Sequence, residues 1–241
     1  MTEKLQGIVL SAVRHSDRTL VVSVYTSTRG RLSLAVSTGS GKSARRIAAL
    51  TMPLAQIEFE CNLSATRELL RPRGIAFAYS YRDLYFSPVK NAIGIFLAEF
   101  LTKLLREAEP DRLIFRFISR SLIVLDTLGG SPANFHLTFL ASLATFMGVA
   151  PDLETYTPGS LFDMRAGIYS RLHPGHKDIL LGENARIPLL LSRLNYANMH
   201  RLRLNRTQRE AILSGMLRYW SIHFPGLGTL HSAEVLSSLF A

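Results

Sequence analysis

The first third of the chain is built from short apolar blocks and alternating stretches. Leu5–Val13 and Thr19–Tyr25 are rich in Val, Ile and Leu, and the polar run "RHSDR" separates them. In "RLSLAV", Leu32, Leu34 and Val36 share one face, the period-two signature of a half-buried strand. The turn before it, "STRGR", contains Gly30, which can take the positive φ that a hairpin needs. "PLAQIEFEC" and "RELLRPRGIAFAY" add two extended segments. Five short strands in roughly 80 residues predict a small barrel or sandwich. The period changes at Pro88. Ile93, Phe96, Leu97, Phe100, Leu101, Leu104 and Leu105 follow the spacing of an amphipathic helix, which Pro110 ends. A second helix is expected over Asp111–Leu128, stopping at Gly129-Gly130, and a third after Ser131-Pro132, ending at Gly148. Val149–Glu183 holds four Gly and three Pro and reads as irregular, with a short hairpin around "FDMRAGIYSRL". Helical patterns return at Pro188–Met199, Asn205–His223 and Ser232–Leu239. The fold class is therefore α+β, all-β then all-α: a barrel domain over 1–80 and a helical domain over 81–241, with an irregular insert at about 149–185.

Composition narrows the function. With 241 residues, 47% hydrophobic and 19% charged, the chain is long and apolar enough to bury a core. Lys and Arg number 28 against 18 Asp and Glu, and the net charge of +10 favours a polyanionic partner over an acidic small molecule. An anionic membrane surface would attract the same charge. Residues 1–80 carry 11 Lys and Arg against 5 Asp and Glu, which is +6 of that +10. Cys61 is the single cysteine, so neither an internal disulfide nor a multi-cysteine metal site is expected, in keeping with a reducing compartment. The N-terminus lacks the charged start and apolar core of a signal peptide, and charged residues interrupt every apolar run. A soluble cytoplasmic protein is the expectation.

"STGSGKSARR" ends its small residues in Gly41-Lys42-Ser43, as a nucleotide-binding phosphate loop does. The first glycine of that motif would fall at Val36, which reads as the inward end of a strand. A flexible basic loop is the better reading, with Lys42, Arg45 and Arg46 facing the phosphates of a nucleic acid. Arg14 and Arg18 flank the first turn, Arg29 and Arg31 flank Gly30, and Arg71 and Arg73 flank Pro72. All are expected on the loop side of a barrel. The aromatics of this region are Tyr25, Phe59, Phe77, Tyr79 and Tyr81; they are sparse, so contact to backbone is expected more than stacking on bases. Two alternatives are a small phosphate-loop nucleotide-binding enzyme and an RNA- or ribosome-binding barrel protein. His173, His176 and Asp178 could form part of a metal site, but Pro174-Gly175 makes their segment a turn, and a solvated loop is expected. No nucleophile elbow or carboxylate cluster points to catalysis.

Taken in order, these segments resemble the RecO family of bacterial recombinational repair proteins. The resemblance runs through "GIVLSAVRHSDRTLVVSVYTSTRGRLSLAVSTGSGKS", "FLAEFLTKLLREAEPDRLIFRFI", "FHLTFLASLATFMGVAPDL" and "YWSIHFPGLGTLHSAEVL", and covers nearly the whole chain. It implies an N-terminal oligonucleotide-binding (OB) barrel and a helical C-terminal domain. It implies binding of single- and double-stranded DNA, strand annealing, and contact with RecR and the acidic tail of single-strand-binding protein, which together help place RecA on coated DNA. It maps DNA contact onto Lys42, Arg45 and Arg46. Many members carry a four-cysteine zinc finger after the third helix; this chain has no Cys there, so no zinc cofactor is expected. The family's site for single-strand-binding protein pairs basic side chains with an apolar helical pocket. Here His136 is the only basic group on the matching helix; within its apolar helical run it reads rather as a satisfied core or groove residue, and Arg106, Arg116 or Arg120 are the candidates to substitute.

Overall fold

The structure, a computed structural model, describes residues 2–63 and 69–239. The first two residues of the expected strand "RELLRPRGIAFAY", Arg67 and Glu68, lie outside them. The chain packs as two compact units, Met1–Thr127 and Leu128–Ala241.

The first unit opens with β1 (Thr2–Ser16), β2 (Thr19–Thr26) and β3 (Gly30–Ser37), which form an antiparallel meander. After α1 (Gly41–Leu50) come β4 (Gln56–Asn62), β5 (Leu69–Leu70) and β6 (Arg73–Tyr79). The strand order is β5-β3-β2-β1-β4-β6. β5 pairs parallel with β3 and β6 pairs antiparallel with β4. These two pieces are separated only by Arg71-Pro72, so one interrupted strand joins both edges of the sheet and closes it into an OB-type barrel. Proline cannot donate to a ladder, which accounts for the interruption. β5 covers only the Ser33–Leu34 part of the β3 edge, so the closure is partial. The alternation seen in sequence sets the register. Leu5, Val9, Val22, Val24, Leu34, Val36, Ile57 and Phe59 point inward and form the core, while Glu58 faces out and pairs with Lys4 at 3.0 Å.

The expected flexible loop at Gly39–Arg46 is instead a three-residue turn leading into a helix. Thr38 to Ser40 turn the chain and α1 begins at Gly41. Gly39 has φ +65°, and a Cβ there would lie 2.6 Å from the Ser43 hydroxyl. The small residues therefore serve a tight strand-to-helix turn. Local patterning missed this helix because its exposed residues are polar or small and only Leu50 is buried.

α2 (Pro88–Leu104) and α3 (Arg112–Thr127) belong to the same unit as the barrel. The unit boundary thus falls after Thr127, whereas strands give way to helices near residue 80. Polar side chains fasten the helices to the sheet. Gln56 donates to the Ser119 carbonyl at 3.0 Å and accepts from its hydroxyl at 2.6 Å. The Asp126 carboxylate accepts from the amides of Arg82, Asp83 and Leu84 and from the Tyr79 hydroxyl. α2 ends at Leu104, short of Pro110, and the Gly30 turn packs on the backbone of Ala108–Pro110 that follows. Asp111 caps α3, accepting from the Leu113 and Ile114 amides at 2.7 and 2.9 Å.

The second unit contains α4 (Phe135–Phe146), a small sheet of β7 (Leu161–Asp163), β8 (Ile168–Ser170) and β9 (Ile179–Leu180), then α5 (Ile187–Ser192), α6 (Arg206–His223) and α7 (Ser232–Leu239). β7 and β8 form the hairpin expected in the irregular segment. The helix expected over Pro188–Met199 stops at Ser192. Asn195 and Asn198 bond across a turn there, the Asn195 amide donating to the Asn198 side chain at 2.7 Å, and this local pairing competes with helix.

Candidate nucleic-acid interface

Sheet register places the basic residues of the barrel in two groups. The β1–β2 hairpin carries Arg14, opposite Leu20, and Arg18 at its tip. The Thr38 amide donates to the Arg18 carbonyl at 3.0 Å, so this hairpin lies beside the turn that enters α1. Lys42, Arg45 and Arg46 follow on the first turns of α1, all exposed. Arg46 reaches across to β6 and donates to the Ile75 carbonyl at 3.2 Å. Arg73 begins β6 two residues earlier and is exposed, as is Arg71 just before Pro72. Arg14, Arg18, Lys42, Arg45 and Arg46 thus gather around the turn into α1, with Arg73 close to the β6 position that Arg46 reaches, while Arg71 lies beside Cys61, the strand partner of Glu3.

Arg29 and Arg31 lie at the far end of the eight-residue β2, about 23 Å away along an extended strand. Arg29 is bound by Glu3, with an N–O distance of 2.7 Å. Arg31 is half-buried; it donates to the Ser23 hydroxyl at 2.7 Å and to the Thr102 carbonyl at 3.0 Å. Burial, and then the nearby Arg106, lower its pKa from the usual guanidinium range. Both arginines fasten the β2–β3 hairpin, and the expected single loop-side patch does not include them. Turn residues look alike in sequence, and strand pairing alone separates the β1–β2 turn from the β2–β3 turn.

The electrostatics of the gathered end favour an anion. The first turn of α1 has no acidic residue, and the Ser40 side chain does not cap it. Amides at a helix start carry partial positive charge, which adds to that of Lys42 and Arg45. Among the described residues neither Lys42 nor Arg45 pairs with a carboxylate. The phosphate-loop position at Val36 is a core strand position, paired with Leu20 in the sheet. Of the five aromatics considered, Tyr25 and Phe59 are buried, Tyr79 bonds Asp126 and Tyr81 bonds Leu54 and Gln56. Phe77 is 39% exposed.

Two family models match this chain: "Recombination protein O N terminal" over residues 1–78 and "Recombination protein O C terminal" over residues 85–228. The chain belongs to the RecO family. Its curated relatives include the DNA repair protein RecO of Bacteroides fragilis, 36% identical over 241 residues, and that of Phocaeicola vulgatus, 35% identical over 241 residues, each aligned over 100% of both chains. RecO of Porphyromonas gingivalis is 30% identical over 241 residues, with 98% of each chain covered. The protein is a RecO-family DNA repair protein. Among the described residues, no helix is long and apolar enough to cross a membrane.

As a RecO-family chain it has two further regions of interest. Arg116 and Arg120 are exposed on α3, in line with Arg112 at helical spacing, and Arg106 is exposed after α2. His136, expected as a basic group at a partner site, is not one. It is 1% exposed inside α4, and burial, with Arg209 nearby, pushes its pKa down to about 3, so the ring is neutral. Its position in a largely apolar helical run was the signal for that burial. The second unit also holds an apolar cavity of about 470 Å³, lined by Leu140, Ala144, Phe162, Ile187, Leu191 and Ile212 among others.

His173, His176 and Asp178 of the irregular segment each have partners of their own. His173 Nδ1 accepts from the Gly175 amide, His176 lies 3.4 Å from Asp163, and Asp178 is held by Arg165 and Arg218. These groups face separate partners, and no group of three or more metal-ligating side chains forms among the described residues. Phe162, Met164, Tyr169, Ala185 and Tyr219 form a core cluster in this unit. Sequence reasoning also passed over Arg193, Arg201, Arg203 and Arg206, all exposed. The signal was present, since no acidic residue occurs between Glu183 and Glu210.

Proposed function

We propose that this RecO-family protein is a non-enzymatic mediator that binds single- and double-stranded DNA through the basic end of its barrel and promotes annealing. In this reading Arg14, Lys42, Arg45, Arg46, Arg71 and Arg73 neutralise phosphates and lower the repulsion between two approaching strands. With RecR it helps load RecA onto DNA coated by single-strand-binding protein, whose acidic tail it contacts through Arg106, Arg116 or Arg120. It works in the cytoplasm at the nucleoid, and the mechanism calls on no metal or cofactor. The observation that supports this most is the start of α1, where Lys42, Arg45 and Arg46 project from a helix start that has no acidic residue in its first turn.

The test replaces Lys42, Arg45 and Arg46 together by Ala. Binding to oligo-dT is measured by fluorescence anisotropy from 50 to 200 mM salt. Losing three phosphate contacts should reduce the log–log salt slope by about 2, at ~0.7 per single-strand contact. An unchanged slope and affinity would remove α1 from the interface. The annealing and loading steps are read with complementary strands coated by single-strand-binding protein, with and without RecR. Failure of the protein to speed annealing in either case would sink that part of the proposal.

A further inference from the structure

The second unit carries a basic strip over residues 193–206. Arg193, Arg201, Arg203 and Arg206 are exposed there, with exposed His200 among them. None of the four arginines pairs with a carboxylate among the described residues. Four cations within 14 residues repel one another. A long irregular stretch would ordinarily relax that repulsion by moving, but here the backbone is held. The Asn134 side chain donates to the carbonyls of Met199 and Leu202 at 2.9 and 2.7 Å. The Arg209 guanidinium donates to the Leu204 carbonyl at 2.9 Å, and the Asn198 amide donates to the Arg193 carbonyl at 2.9 Å. Met199 is buried beneath the strip. A network of side chains thus fixes the main chain while its arginines face water. Arg206 moreover occupies the first position of α6, where the helix dipole disfavours a cation. Helix stability gives no reason for that charge.

We propose that this strip is a second binding surface for a nucleic-acid backbone. The inference rests on the reading of the barrel end as the first such surface. Its basic side chains are arginines, whose planar fork suits bidentate contact with phosphate. The strip offers no exposed large apolar side chain of the kind a docked peptide would anchor on. One molecule carrying two phosphate-binding surfaces can hold two strands at once. Their encounter then becomes intramolecular, at a raised effective concentration.

Two oligo-dT strands that cannot pair, one labelled with a donor and one with an acceptor, test this with the full-length protein. Energy transfer on adding protein reports joint capture. Replacing Arg193, Arg201, Arg203 and Arg206 by Ala should weaken capture of the second strand by about tenfold or more, with first-strand affinity kept within about threefold. The corresponding Lys variant should retain joint capture, because its charge is intact. Joint capture undiminished in the Ala variant would overturn the proposal, and so would its loss in the Lys variant. Loss of oligoglutamate binding in the Ala variant, with joint capture unchanged, would reassign the strip to an acidic protein segment. If the wild-type protein binds one strand but never two, the second surface fails and the first stands. If it binds none, both fail.

Discussion

Asp126 shows how one side chain organises a joint. It sits near the end of α3, buried, and its carboxylate accepts from three consecutive amides of residues 82–84 and from Tyr79. Burial pushes the carboxyl up, but these donors outweigh it and hold the pKa below the ordinary carboxylate value. A carboxyl lowered in the fold stabilises fully above its unfolded pKa, and the contribution is lost as pH falls through the lower folded value. Asp126→Asn should cost about 2–3 kcal/mol at pH 7, since charge-assisted bonds are replaced and donors are left short. Urea melts of both proteins from pH 7 to pH 3 measure it; the gap should shrink at the acid end, and a constant gap would contradict the assignment. His136 is the opposite case. Its ring is held neutral, so proton NMR should show no His136 titration between pH 5 and 8. Neither partner network was readable from the chain, because Asp126 and residues 79–84 meet only through the packing of α3.

At the scale of elements, the strands were legible and α1 was not. Strand faces follow from period-two alternation, which survives in "RLSLAV" and "QIEFEC" because one side of each strand meets the core. α1 is short and buries only Leu50, and the glycines before it read as a loop. Gly39 tests the structure's account. Gly39→Ala would force a Cβ into positive φ and against the Ser43 hydroxyl. The expected loss is about 1–3 kcal/mol, measured by thermal melting. Weaker oligo-dT binding should accompany it, because Lys42, Arg45 and Arg46 are positioned by this turn. A Gly39→Ala protein with wild-type stability would show that the turn is not as described.

At the scale of the whole molecule, a packed aromatic cluster organises the second unit. Tyr219 belongs to the cluster of Phe162, Met164 and Tyr169, and its hydroxyl donates to the Val149 carbonyl at 2.7 Å. Tyr219→Ala should destabilise by about 3–5 kcal/mol. A chelator should leave the wild-type melting curve unchanged, and a chelator-induced drop would point to a metal that holds the segment. The sequence alone determined the order of strands and helices, the missing cysteines, the surplus of basic charge and its concentration in the first 80 residues. Those properties reside in local periodicity and composition, which need no partner. Only the tertiary structure decided which charges act together. Packing of α1 beside β6, where Arg46 reaches the Ile75 carbonyl, brought Arg73 near that helix, and the β2–β3 hairpin carried Arg29 to Glu3 and Arg31 to Thr102. Packing also placed α2 and α3 in the same unit as the strands. Such outcomes depend on pairing between residues far apart in the chain, and no window of sequence contains both partners.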